Sequence, residues 1–170
     1  MLSESARMAS AAEARFRIEA PNSTPRAVKV IALDRASERL VQQLSQHAWN
    51  RATFFTTSAF AGTPHKGEPF SMQGWLSDLA GRAKDLVDEI NTADLVVMVT
   101  TAGEDAPAAS LIGEACMVRR VMTTTLILGS GAKSDEELSK SLTQLRPYSH
   151  MLVVASAEEY VEDMLRALRA

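Results

Sequence analysis

Cysteine, long apolar runs and clustered positive charge are all scarce in this chain of 170 residues. Cys116 is its one cysteine, which excludes an internal disulfide and favours a reducing compartment. No apolar run approaches the roughly 20 residues that a membrane-spanning helix needs, and the N-terminus lacks the apolar core of a secretory signal. We therefore expect a cytoplasmic protein with no membrane partner.

Basic patches are missing as well. The 18 basic and 21 acidic residues give a net charge of -3 and are spread along the chain. A nucleic-acid-binding domain would usually carry a basic stripe or patch, so we expect no nucleic-acid partner.

The patterns that mark common cofactor and metal sites are also missing. The first apolar strand is followed by residues 34–39, which contain no glycine, so the classical NAD or FAD fingerprint is absent. No His-x-x-x-His or Cys-x-x-Cys spacing predicts a metal site, and no Gly-x-Ser-x-Gly elbow marks a nucleophile. Catalytic residues and cofactor stay unknown at this point, and a nucleotide or a flavin are the open alternatives for the cofactor.

The segment 94–103 reads Asp-Leu-Val-Val-Met-Val-Thr-Thr-Ala-Gly. Its first half is a continuous apolar run with β-branched residues, typical of a strand buried on both faces of a parallel sheet. Its second half is a small, hydroxyl-bearing turn that leads into a helical pattern. Strand, turn and helix N-terminus form the usual ligand-holding corner of open α/β folds.

Strand and helix patterns alternate along the rest of the chain. The other predicted strands cover residues 27–33, 52–57, 123–128 and 151–155. Apolar residues at helical spacing predict the helices between them, including one amphipathic helix from Trp75 to Ile90. Two later helices are predicted to open on capping boxes, Ser134 with Glu137 and Ser156 with Glu159.

This alternation predicts an α/β fold, a three-layer α/β/α sandwich with a mainly parallel five-stranded sheet. The simplest strand order is 2-1-3-4-5, which is Rossmann-like or flavodoxin-like. Residues 26–170 are expected to form this single domain. Residues 1–25 form an N-terminal arm and linker, which is either flexible or packs on a partner subunit of a homo-oligomer.

The predicted order reverses between strands one and three, and ligands of such sheets bind at the carboxyl ends of the flanking strands. A small-molecule or nucleotide-type ligand is therefore expected between segments 34–37 and 100–107. The predicted ligand-binding residues are Asp34, Ser37, Thr100, Thr101 and Gly103, with Gly129 and Ser130 in a second glycine turn.

Each of these predictions has a structural alternative. Asp34 could simply cap the helix that follows it. The turn 100–107 could be capped by Glu104 and Asp105, whose carboxylates repel phosphate. The turn at Gly129 and Ser130 could need glycine torsion angles without any ligand.

The segment 58–72 has no clear periodicity, and connections of this length are often functional or disordered. Phe60, Phe70 or Trp75 could form a platform for an isoalloxazine ring. That gives a flavodoxin-like flavin or quinone oxidoreductase as an alternative function. A third hypothesis is a non-catalytic interaction or scaffold protein with a degenerate pocket.

An apolar strand runs into Thr-Thr-Ala-Gly at 100–103, a helix follows over 108–118, and a threonine-rich strand covers 123–128. In this order of elements the segment 94–160 resembles the nucleotide-binding domain of bacterial tubulin-like (FtsZ-type) GTPases. Gly103 stands where that family has a signature with several glycines. The resemblance implies a nucleotide-binding fold and a nucleotide-type ligand at this turn.

Overall fold

A computed structural model describes residues 24–57, 75–129 and 134–170. Its strands are β1 (Val28–Ala32), β2 (Ala52–Thr56), β3 (Trp75–Asp78), β4 (Ala83–Asp85), β5 (Leu95–Thr101), β6 (Met122–Leu128) and β7 (Met151–Ala155). Its α-helices are α1 (Arg35–Ser45), α2 (Leu86–Asn91), α3 (Ala108–Arg119), α4 (Asp135–Leu145) and α5 (Glu158–Ala167). A 3-10 turn, Arg146–Tyr148, follows α4. No helix in the described ranges is long and apolar enough to cross a membrane.

The strands form one sheet in the order β4-β3-β2-β1-β5-β6-β7. Five strands, β2, β1, β5, β6 and β7, are parallel to one another. Beyond β2, β3 pairs antiparallel with β2, and β4 pairs antiparallel with β3. The predicted α/β class is confirmed, and the parallel strands follow the predicted order. The predicted count of five strands is wrong, because the described residues form seven.

Strand β5 lies between β1 and β6 and is parallel to both. Residues 95–100 are buried, as a continuous apolar run predicts for a strand covered on both faces. Helices α2, α3 and α4 pack on one face of the sheet, and α1 and α5 pack on the other. The first core contains Ile31, Val96, Met98 and Ile127 with Leu86, Ile90, Ile112 and Leu145. The second contains Val30, Val97, Val99 and Leu126 with Leu40, Val41, Leu44, Val161 and Leu165. The sandwich therefore has three layers.

The prediction of one helix from Trp75 to Ile90 is wrong. That segment forms the hairpin of β3 and β4 and then the short helix α2. The Asp78 carboxylate accepts the backbone N–H groups of Ala80 and Arg82 at 3.0 and 2.9 Å. Gly81 adopts a φ of +77°, a left-handed conformation that suits glycine. This local turn chemistry outweighs the helical spacing of the apolar side chains.

The capping predictions had different outcomes. Ser134 and Glu137 form the predicted box, in which the Glu137 N–H donates to Ser134 Oγ at 3.2 Å. Helix α5 begins after Ala157, and no side chain caps it. The predicted box of Ser156 and Glu159 is therefore wrong.

Candidate functional site

The sheet order reverses beside the ends of β1 and β5. Strand β1 is followed in the chain by its neighbour β2, whereas β5, β6 and β7 extend the sheet in the opposite direction. The connections that leave β1 and β5 diverge there to opposite faces, into α1 and α3. A gap between two diverging connections is where open α/β sheets usually bind their ligands.

A crevice of about 650 Å³ lies at this edge. Its lining residues are Leu33, Asp34, Arg35, Glu38, Thr57, Glu104, Asp105, Pro107 and Ala108. Four of them are carboxylates and one, Arg35, is a cation. Lys140 reaches Asp105 from α4 at 3.0 Å, but both side chains are largely exposed. The described lining residues are therefore net acidic, and they favour a ligand that presents hydrogen-bond donors or positive charge.

Asp34 joins the two walls of the crevice. It is the N-cap of α1, where its Oδ1 accepts the N–H of Ser37 at 2.8 Å. Its Oδ2 accepts the backbone N–H of Thr101 at 2.8 Å, and the Thr101 hydroxyl lies 3.2 Å from Oδ1. Three donors of the protein therefore hold both oxygens of this buried carboxylate. The helix-cap alternative describes the local role of Asp34, and its cross-strand bond adds a second structural role.

Ser37 completes the same joint and is fully buried. Its Oγ lies 3.0 Å from the carbonyl oxygen of Val99 in β5 and 2.9 Å from that of Asp34. It also accepts the N–H of Asp34 at 3.4 Å, which closes the capping box. Because its hydrogen-bonding groups are engaged inside the protein, Ser37 holds the start of α1 to β5.

Thr100 and Thr101 point to opposite faces of the sheet, as neighbours in a strand must. The hydroxyl of Thr101 faces Asp34 and α1. Thr100 is 1% exposed, and its Oγ1 has no hydrogen-bond partner among the described residues. The structure therefore places the two predicted threonines in different surroundings, and Thr100 is buried and does not line the crevice.

The turn after β5 uses its backbone donors within the protein. The backbone N–H groups of residues 101–104 all donate hydrogen bonds within the protein, at 2.8 to 3.1 Å. Their acceptors, listed from residue 101 to residue 104, are Asp34 Oδ2, Leu128 O, Ser141 Oγ and Thr101 O. Gly103 adopts a φ of +85°, and a Cβ placed there would lie 3.1 Å from the side chain of Glu137. An anion site needs converging N–H groups that are free, and these four are occupied.

Gly129 directly follows β6, and its N–H donates to the carbonyl oxygen of Ala155 at 3.0 Å. Its φ is not positive, so glycine torsion angles are not required at this position. It is not among the residues that line the crevice. Ser130, like Phe60 and Phe70, lies outside the described residues. Trp75 begins β3.

The predicted site residues did not include Arg35, Glu38 or Thr57. Glu38 lies one helical turn after Asp34, so its i,i+4 spacing placed it at the same edge. Thr57 follows β2, and its hydroxyl lies 3.1 and 3.3 Å from the carbonyl oxygens of Ala32 and Leu33. The sequence spacing could have placed Glu38 at the crevice, whereas the position of Thr57 there depends on the pairing of β2 with β1.

The described residues contain no group of three or more His, Cys, Asp or Glu side chains able to hold a metal ion. Cys116 lies on α3 and is completely buried, and this burial raises the pKa of its thiol to about 12. A thiol with so high a pKa is a poor nucleophile near neutral pH, in keeping with a packing role.

Comparison with known proteins shows a similarity of fold. No protein-family model and no curated protein matches the chain. Among solved structures, the chain is similar to translation elongation factor SelB from Methanococcus maripaludis, solved in complex with the GTP analogue GppNHp. The TM-score is 0.50 and the sequence identity is 9%, over 87% of this chain and 34% of that one. The chain thus spans about a third of the length of that protein, and at this identity the likeness establishes the α/β fold alone.

Proposed function

We propose that this chain is a ligand-binding α/β domain that holds a small molecule in the crevice between the ends of β1 and β5. The observation that carries the proposal is an open, acidic crevice at the point where the sheet order reverses. Its size of about 650 Å³ falls within the usual range for small-molecule sites.

The lining favours a ligand that donates hydrogen bonds. Glu38 and Glu104 offer acceptor oxygens, and Arg35 offers the one guanidinium among the described lining residues. Sugar hydroxyls and amines suit such a lining, whereas a bare phosphate would meet carboxylates and occupied backbone N–H groups. Asp34, Ser37 and Thr101 act in this proposal by fixing the walls.

The proposal includes a nucleotide-type ligand, but only one that binds through its base or its sugar. The fold likeness to a protein solved with a GTP analogue and the resemblance of 94–160 to tubulin-like GTPases both make nucleotides worth testing. Because the N–H groups of 101–104 are engaged, the base or the sugar would contact the crevice. We therefore expect a nucleoside to bind about as well as its triphosphate.

A thermal-shift panel tests this function. The probes are guanosine and adenosine, their triphosphates with and without Mg²⁺, spermidine, and FMN for the flavin alternative. A probe at 100 times its dissociation constant adds about 2.7 kcal/mol to the free energy of unfolding, or roughly 5 to 10 °C in melting temperature.

Substitutions then locate the site. Glu38→Gln and Glu104→Gln remove negative charge while preserving side-chain volume, and each should reduce the shift produced by the active probe. Asp88→Asn is the matched control, because it also removes one negative charge, and Asp88 is exposed on α2 and does not line the crevice. A panel without any shift would favour the scaffold hypothesis. A shift that survives both crevice variants would place the ligand elsewhere.

A further inference from the structure

Strand β7 forms one edge of the sheet, and no strand among the described residues pairs with its outer side. Its five residues, Met-Leu-Val-Val-Ala, carry no charge, and they pair with β6 in continuous register. Proteins usually protect an exposed edge with lysine, proline, a bulge or a very short strand. The opposite edge, β4, is only three residues long and contains Lys84 and Asp85. Strand β7 has none of these protections.

Several apolar side chains along this edge are exposed, although Ala155 is buried and Leu152 and Val153 are partly buried. Val154 is 44% exposed and Met151 is 41% exposed. Tyr160, on the helix that follows β7, is 51% exposed. Neither α4 nor α5 therefore closes the edge. A partner that adds a strand here would satisfy the outer backbone groups of β7 and cover these side chains.

The charges at the two ends of β6 and β7 indicate that a second copy of this chain fits the edge. Among the described residues, the exposed charged side chains shortly before these strands are basic, and those shortly after them are acidic. The basic residues are Arg119, Arg120 and Arg146, and the acidic residues are Asp135, Glu136, Glu158 and Glu159. A two-fold axis perpendicular to the sheet and just beyond the outer side of β7 would pair the strand antiparallel with its own copy. The basic end of one protomer would then face the acidic end of the other, as electrostatic complementarity requires.

We propose that the β7 edge is a self-association surface, on which a second copy of this chain places its own β7 antiparallel and continues the sheet. A parallel arrangement would set arginine against arginine, and the antiparallel one pairs opposite charges at both ends. The inference is independent of the ligand proposed for the crevice, which lies at β1 and β5.

Sedimentation equilibrium of the full chain over a concentration series tests the proposal. The wild type should form a dimer, and Val154→Lys should weaken it on the order of a hundredfold, because each two-fold interface holds the new ammonium group twice. Leu79→Lys is the matched control, since Leu79 is 37% exposed at the opposite edge of the sheet, and its dimer should persist. Circular dichroism verifies that both variants fold.

A charge-reversal pair tests the orientation. Glu158→Lys with Glu159→Lys should weaken the dimer several-fold, less so at high salt. Adding Arg146→Glu should restore much of the loss. A wild type that stays monomeric at hundreds of micromolar, or a dimer that Val154→Lys leaves intact, would overturn the proposal. So would a dimer that disappears only when residues 1–23 are removed. A dimer indifferent to both charge variants would overturn the antiparallel arrangement.

Discussion

Replacing Asp34 tests whether the two walls of the crevice are joined as described. Asp34→Ala removes the cap of α1, which costs about 1 kcal/mol at a typical N-cap. It also leaves the partly buried N–H of Thr101 without its acceptor at 2.8 Å. An unsatisfied donor in such a place costs about 1 to 2 kcal/mol. The free energy of unfolding should therefore fall by about 2 to 3 kcal/mol.

Two further variants separate these contributions. Asp34→Asn preserves a good capping group, but its amide can present only one acceptor oxygen to the three donors around it. It should lose about 1 to 2 kcal/mol, chiefly from the bond to β5. Asp85→Ala is the matched control, because the Asp85 carboxylate caps α2 through the N–H of Asp88 at 3.0 Å and makes no hydrogen bond to another strand among the described residues. It should cost about 1 kcal/mol or less.

Urea unfolding, followed by circular dichroism, measures these differences. For a protein of this size, 2 to 3 kcal/mol moves the midpoint on the order of 1 M. If Asp34→Asn unfolds like the wild type, the cross-strand bond contributes nothing and the reasoning is refuted. The same holds if Asp34→Ala costs no more than Asp85→Ala, because the carboxylate would then act only as a cap.

Three further outcomes follow from buried groups elsewhere, each measured by denaturant unfolding. Thr100→Val should leave the free energy of unfolding unchanged or raise it by about 1 kcal/mol, because it removes a buried hydroxyl that has no hydrogen-bond partner in the described part of the chain; a clear loss would contradict this. Gly113→Ala should destabilise the protein despite the better helix propensity of alanine, because the new Cβ would lie 2.5 Å from Tyr148 Cβ; wild-type stability would show that the contact relaxes freely. Burial raises the pKa of the Cys116 thiol to about 12. The contribution of the protonated thiol to the free energy of unfolding is therefore fully present below the unfolded pKa near 8.5 and is lost as pH rises toward 12. Above pH 9 the free energy of unfolding should fall by up to about 1.4 kcal/mol per unit more than in Cys116→Ala; equal slopes would refute it.

The parallel part of the sheet could be predicted from the sequence because its signal is local and strong. Residues 95–99 are an unbroken apolar run, which only a strand covered on both faces can bury in a fold of this class. The hairpin of β3 and β4 could not be predicted in the same way. Its apolar residues recur at helical spacing, and the outcome depended on Asp78 and Gly81, two turn residues within that pattern.

The location of the candidate site could be predicted, but the state of its polar groups could not. The bond between Asp34 and Thr101 joins residues 67 positions apart. The bond from Gly103 to Ser141 joins residues 38 positions apart. Spacing within a segment carries no information about such partners, since they meet only after the strands have paired. A free donor and an occupied donor look the same in the sequence.

This difference matters for how the edge can recognise a ligand. A phosphate-binding corner relies on backbone N–H groups that no part of the protein uses. Here the N–H groups of 101–104 hold β5 to α1, β6 and α4 and close their own turn, so a ligand bound as we propose would be recognised by side chains. In our proposal those side chains are Arg35, Glu38 and Glu104, and none of them is fully buried. Substitutions at these three positions should therefore change which ligand binds while costing little stability, whereas changes at Asp34 or Ser37 should cost stability first.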